Sequence, residues 1–197
     1  MKVMKLIVAQ GNPGKKYERT RHNVGFVALD TYAEDNNLSW KDQDKFNARI
    51  TELTIGDERS LLVEPQLFYN ETGPVIRKLV DFYKLSPAED VLVIHDDLAL
   101  PLGTLRVREK GSDAGNNGVK SLNSHLGDEY WRIRVGIWSE DRNHLNDVDF
   151  VLGAFSKDEQ QKLDEHVIPK IHTLVDGFIK GTLEATSHRL ALDSENS

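Results

Sequence analysis

A constrained turn between a buried strand and a helix limits this chain more than any other stretch. Leu6-Ile7-Val8-Ala9 is a short apolar run of the kind that forms a strand covered on both faces. It leads at once into residues 11–26, GNPGKKYERTRHNVGF, where Gly11, Pro13 and Gly14 are turn residues. Glycine reaches positive φ without steric cost, and proline holds φ near about −65°. From Val24 to about residue 36 the apolar residues take helical spacing. Asn12 is thereby held at the carboxyl end of the strand. Thr20 reads as the N-cap of the helix, which puts His22 in its first turn. An amide and an imidazole brought to one edge of a sheet are the ingredients of a site.

Strand, loop and helix then alternate along the chain. Residues 46–53 and 60–63 read as strands joined by a hairpin through Gly56-Asp57, and residues 72–83 as an amphipathic helix with Pro74 in its first turn. Residues 91–94 form a β-branched apolar run, read as a central strand ending in His95-Asp96-Asp97. Leu105-Arg106-Val107-Arg108 alternates apolar and basic, as a half-exposed strand does. The loop GSDAGNNGVKS leads into a short helix, residues 133–137 form another strand, and from Lys157 a long amphipathic helix runs with a restart at Pro169. The expected architecture is α/β: a single three-layer domain over residues 1–191, a twisted mixed β-sheet with helices on both faces. Residues 192–197 read as a disordered tail. In such sheets ligands bind beyond the carboxyl ends of the strands. Asn12 to His22, Phe68 to Asn70 and His95 to Asp97 all fall there, with Asn116 and Asn117 as a further wall.

Several chemistries drop out. The 197 residues include no cysteine, so thiol catalysis, disulfides and cysteine-ligated zinc are excluded. GNPG lacks the spacing of a dinucleotide fingerprint, the 111–121 loop lacks the lysine of a Walker loop, and no two histidines flank a glutamate on one helix turn. Neither a metal nor a cofactor is expected. The opening MKVMKLIVAQ reads as a strand and not as a signal peptide, and no apolar run approaches a membrane span. A cytoplasmic monomer is expected. The net charge of −7 disfavours indiscriminate nucleic-acid binding, but Lys15, Lys16, Arg19 and Arg21, and Arg106, Arg108 and Lys110, form local basic surface. Such surface suits a partner offering a few phosphates.

What remains is His22 with Asp96. A carboxylate bonded to one ring nitrogen fixes the tautomer and leaves the other nitrogen free to take a proton. With no serine on a strained elbow, that proton would come from water, as in general-base hydrolysis. The bland alternative, that each residue only caps a helix, stays open on spacing alone. Asn12, Asn70 and Asn117 supply uncharged donors and acceptors suited to an amide backbone or an oxyanion, or else they only hold their own turns. Arg106 and Arg108, two apart on a strand, share a face and either clamp phosphate or are simply solvated.

Together GNPGKKYERTRHNVGF, FYN, HDDLALPLG, GNNGVKS, RIRVGI and DFVLGAF occur in the order of the bacterial-type peptidyl-tRNA hydrolases, which the chain resembles over nearly its whole length. The resemblance implies hydrolysis of the ester between a peptide and the terminal ribose of tRNA. By matching positions, His22 would be the water-activating base, Asp96 would orient it, and Asn12 would help discriminate peptidyl from aminoacyl substrate. Tyr17, Phe68, Asn70, Asn116 and Asn117 would line the groove for the substrate. Arg106, Arg108 and Arg134 would hold the tRNA backbone. The chain departs from the family pattern at Tyr69, where methionine is usual, at Asn116, where histidine is usual, at Asp113-Ala114, and at Trp138 and Glu140. The alternative reading is an RNA- or tRNA-binding module of the same fold with weakened catalysis.

Overall fold

The computed structural model describes residues 4–192. The apolar run opens the fold as β1 (Met4–Ala9), and the turn delivers the chain to α1 (Val24–Asp35). An outer β2 (Lys41–Gln43) precedes the hairpin of β3 (Ala48–Ile55) and β4 (Glu58–Pro65), closed by the two residues Gly56-Asp57, with Gly56 at φ 61°. Then come α2 (Thr72–Tyr83), the single turn α3 (Pro87–Asp90), β5 (Val91–Pro101) and β6 (Thr104–Lys110). α4 (Asn117–Leu126) leads to β7 (Glu129–Trp138) and the short α5 (Asp147–Val151). Finally α6 (Lys157–Lys162) passes through one π-helical turn into α7 (Ile168–Ile179), with Pro169 in its first turn, and β8 (Ser187–Arg189) ends the sheet.

The sheet order is β2-β3-β4-β1-β5-β7-β6-β8. Its centre, β4-β1-β5-β7, is parallel, and both flanks are antiparallel, so the sheet is mixed as expected. One face packs α1 and α7 against Ile7, Leu92, Ile94 and Ile133. The other packs α2 and Leu122 of α4 against Leu6, Val8, Val91 and Val93. Strands covered on both faces are continuous apolar runs, which is why β1 and the start of β5 were legible.

The structure differs from the sequence reading in several places. His22 lies not in α1 but in a 3₁₀ turn, Arg21–Asn23, ahead of it. Thr20 caps nothing with its side chain; its hydroxyl donates to the Tyr17 carbonyl. β5 does not stop at His95 but continues to Pro101, with its register against β7 shifting after Asp97. Leu192 packs on the core beside Gly103; the rest of the expected 192–197 tail lies outside the described residues.

Candidate active site

The turn after β1 starts alongside β5, with the Gln10 N–H donating to the Ile94 carbonyl at 2.9 Å. α1 starts directly behind it. Gly25 permits this, since a Cβ there would meet the carbonyl oxygens of Gln10 and Ile94 at 2.7 Å each. Asn23 and Asn12 then lock the turn reciprocally: the Asn12 N–H donates to Asn23 Oδ1 at 2.8 Å, and Asn23 Nδ2 donates to the Asn12 carbonyl at 2.9 Å. Asn12 Oδ1 in turn accepts the backbone N–H of Tyr69 at 2.8 Å. Its oxygen is therefore fixed inward, and its Nδ2 has no partner among the described residues.

His22 is held from below by its neighbour. Arg21 is buried, donates to the Ala154 carbonyl at 2.7 Å and to Glu159 Oε2 at 2.9 Å, and its guanidinium lies 4.3 Å from the centre of the Phe150 ring. This strut fixes the 3₁₀ turn to the segment after α5. His22 Nδ1 then stands 2.8 Å from Asp96 Oδ2, while its Nε2 has no partner among the described residues. The Tyr69 ring lies flat against the imidazole, with centroids 3.6 Å apart and planes 14° from parallel. The Tyr69 hydroxyl donates to the other Asp96 oxygen, Oδ1, at 2.5 Å. Burial and the Asp96 carboxylate push the phenol well above its usual value of 10, so it stays a neutral donor. Asn116 caps α4, its Oδ1 accepting from Val119 N–H at 3.0 Å, and its Nδ2 donates to the Tyr69 hydroxyl at 3.1 Å and to the Asp96 carbonyl at 3.2 Å. Next to this group His95 is buried, its Nδ1 at 2.7 Å from the Asp96 carbonyl. Burial pushes that imidazole down to about 4, so it is neutral near pH 7.

These residues open onto one cavity of about 700 Å³. Asn12, His22, Phe68, Asn70, Asp96, Asn116, Asn117, Arg108 and Arg134 all line it. Tyr17 and Arg106 do not; Tyr17 sits in the turn at Lys15–Tyr17 under Lys16, and Arg106 lies on β6 opposite Arg134. Among the described residues no helix is long and apolar enough to cross a membrane.

A model of the family described as peptidyl-tRNA hydrolase matches residues 6–197. The chain belongs to the peptidyl-tRNA hydrolase family. It is 44% identical over 172 residues to a peptidyl-tRNA hydrolase of Fusobacterium nucleatum, with 87% of each chain covered. With that of Listeria welshimeri it shares 47% identity over 158 residues, 80% of this chain and 84% of the relative. The fold is similar to the crystal structure of the peptidyl-tRNA hydrolase from Acinetobacter baumannii, with a TM-score of 0.81 at 30% identity over 90% of this chain and 89% of that one. The chain is thus an enzyme, and family and fold together support hydrolysis of peptidyl-tRNA.

Against that hydrolase frame, some residues were missed by sequence reasoning. Asn23 positions Asn12 and sits beside His22 in RHNVG, so its neighbourhood was a signal that went unused. Tyr69 stands out in the sequence only as part of the Phe68–Asn70 segment and as a departure from the family pattern, yet it touches both His22 and Asp96. Asn116 was expected to offer its side chain to substrate, but both of its polar atoms bond inward. α5 with its Val148, and Leu152 just after it, exposed on the cavity wall along with Phe68, were not foreseen at all.

Proposed function

We propose that this hydrolase cleaves the ester joining a peptide, or an N-blocked aminoacyl group, to the terminal ribose of tRNA, with His22 activating the water, and so recycles tRNA from stalled or aborted translation. One observation carries the reading: His22 Nδ1 is tied to Asp96 at 2.8 Å while Nε2 has no partner among the described residues. Because Asp96 accepts at Oδ2, Nδ1 carries the proton and Nε2 holds the lone pair a base needs. In the proposed step Nε2 takes a proton from water as its oxygen attacks the ester carbonyl. The tetrahedral intermediate then collapses, the bond to the ribose oxygen breaks, and the imidazolium returns its proton to that oxygen. Asp96 stabilises the imidazolium in between. Asn12, with its oxygen held by Tyr69 N–H, offers Nδ2 to the substrate's carbonyl or peptide backbone.

The tRNA backbone is assigned to the face of β6 and β7. Arg106 stands directly opposite Arg134, and Arg108 opposite Arg132. Like charges opposed across strands destabilise a sheet, and a phosphate bound at Arg106 and Arg108 eases the conflict. Arg106 and Lys110 have no ion-pair partner among the described residues, so their charge is available. Arg134 is ion-paired with Asp97 at 2.7 Å, and Arg108 is held flat on the Thr186 carbonyl and Ser187 hydroxyl.

The test is release of N-acetyl-aminoacyl groups from tRNA by purified protein free of host hydrolase. Wild type should turn over, and His22→Ala should lower kcat by roughly 10²–10⁴-fold, the usual worth of a general base, with tRNA binding little changed. Wild type that binds tRNA but releases nothing would make the chain a binding module instead.

A further inference from the structure

We propose that Tyr69 is the positioning residue of the hydrolytic base: its ring sets the plane of the His22 imidazole, and its hydroxyl, aimed by Asn116, holds Asp96. The proposal rests on the reading of His22 as the base and adds a part that His22 and Asp96 alone do not supply.

The direction of each hydrogen bond follows from one helix cap. Asn116 Oδ1 is committed to the Val119 N–H at the start of α4, so the side chain cannot turn over without uncapping the helix. Its Nδ2 therefore faces Tyr69, and it donates to the phenolic oxygen. A hydroxyl oxygen that accepts from an amide must send its own proton elsewhere, and the partner within reach is Asp96 Oδ1 at 2.5 Å. Asp96 is left with one orientation, Oδ2 toward His22. The cap of a helix thus fixes, through two hydrogen bonds, the rotation of the carboxylate that His22 Nδ1 meets.

Packing fixes the same side chain. Tyr69 is 3% exposed, with its ring stacked on His22. α4 presses on its edge, since a Cβ on Gly118 would stand 2.3 Å from Tyr69 Cε1. Its backbone N–H is bound to Asn12 Oδ1. Ring, hydroxyl and backbone of one residue therefore touch His22, Asp96 and Asn12 respectively. A flexible aliphatic side chain here would fill space without supplying either the flat face or the donor.

The experiment compares Tyr69→Phe, Tyr69→Leu and Asn116→Ser with wild type on N-acetyl-aminoacyl-tRNA, with His22→Ala as reference. Tyr69→Phe keeps the stacked ring and loses the hydroxyl; kcat should fall about tenfold, the worth of one hydrogen bond to a charged group, with KM within about twofold. Tyr69→Leu loses both and should fall further, to about a hundredfold. Asn116→Ser keeps a cap but removes the donor, and should lower kcat in the wild-type background while having little further effect in Tyr69→Phe. The downfield Nδ1 proton of His22, read by NMR in the free protein, should be sharp in wild type and broadened by exchange in Tyr69→Phe. Wild-type kcat and an unchanged Nδ1 signal in Tyr69→Phe would overturn the proposal, as would a loss confined to KM, which would make Tyr69 a substrate contact. Full activity in His22→Ala would instead bring down the reading on which it rests. Asn116→Ser lies at the surface end of α4, so the coupling remains measurable even if Tyr69→Leu fails to fold.

Discussion

Around Asp96 nearly every polar atom is matched, whereas on the sheet face of β6 and β7 the charges are met unevenly. Asp96 takes His22 on one oxygen and Tyr69 on the other, and Asn116 uses both ends of its amide. On the basic face, Arg134 is neutralised by Asp97 and Arg132 is buried under the carbonyls of Ser112 and Asp128, while Arg106 and Lys110 stand without ion-pair partners. The difference fits two kinds of work. A base must be within tenths of an ångström of its target, so its surroundings are fixed before substrate arrives. A polyanion needs positive charge in the neighbourhood, and its counterions supply the driving force as they leave.

Asp96→Asn should separate the two regions most sharply. An amide at this position can present its nitrogen to His22 Nδ1, which would move the imidazole proton to Nε2 and remove the base. kcat should fall by roughly 10²–10⁴-fold, with binding of uncharged tRNA unchanged in a filter or fluorescence assay. An equal loss of tRNA affinity would merge the two regions into one.

Gly118→Ala asks whether the matched cluster is as rigid as its geometry implies. The added methyl would collide with Tyr69 Cε1. Because ring and helix are both pinned, the protein should lose about 1–3 kcal/mol of stability, and kcat should drop as the ring leaves His22. Unchanged melting and unchanged kcat would show that the cluster is loose.

His95 gives the cluster a pH signature that the basic face lacks. Burial holds it at about 4, against its ordinary 6.5. Between those values the unfolded chain binds a proton and the folded chain does not. Stability from this group is therefore complete above about pH 6.5 and falls as pH drops toward 4, by about 3 kcal/mol at most at about 1.4 kcal/mol per pH unit. Urea unfolding at pH 7 and pH 5 should show the loss in wild type and a smaller one in His95→Gln. Identical losses would place the acid sensitivity elsewhere.

The smallest effect expected lies within the basic face. Arg106→Ala should raise KM for tRNA substrates several-fold and lower the salt slope of binding by about one. Arg134→Ala should change the slope less, because its charge is already met by Asp97. The reverse order would mean that the Arg134–Asp97 pair opens on binding.

The two regions also differ in how much of them could be read from residue order. The fold was legible where burial dictates pattern: β1 and the start of β5 are unbroken apolar runs, α2 falls on the expected residues, and Gly56-Asp57 makes the hairpin. β8 was not, because Ser187-His188-Arg189 carries no alternation that marks it as a partner of β6. His22, Asp96 and Asn12 were legible as polar residues in the segments that follow the apolar runs of β1 and β5. Their supports were not, since Asn23, Arg21, Tyr69 and Asn116 look like a turn residue, a surface charge, a core aromatic and a helix cap until the chain is folded. Arg106 and Arg108 were correctly placed on one face, but alternation could not tell which of them reaches the cavity. Only Arg108 does, beside residues 110–117 on the cavity wall.

The most direct test pits the two regions against each other on two substrates, N-acetyl-aminoacyl-tRNA and a small ester that lacks the acceptor stem. kcat/KM is measured on both for wild type, His22→Ala and Arg106→Ala. His22→Ala should lose roughly 10²–10⁴-fold on both substrates alike, because the ester is the same, while Arg106→Ala should lose activity on tRNA and none on the small ester. Near-wild-type hydrolysis of the small ester by His22→Ala would contradict the assignment of the base.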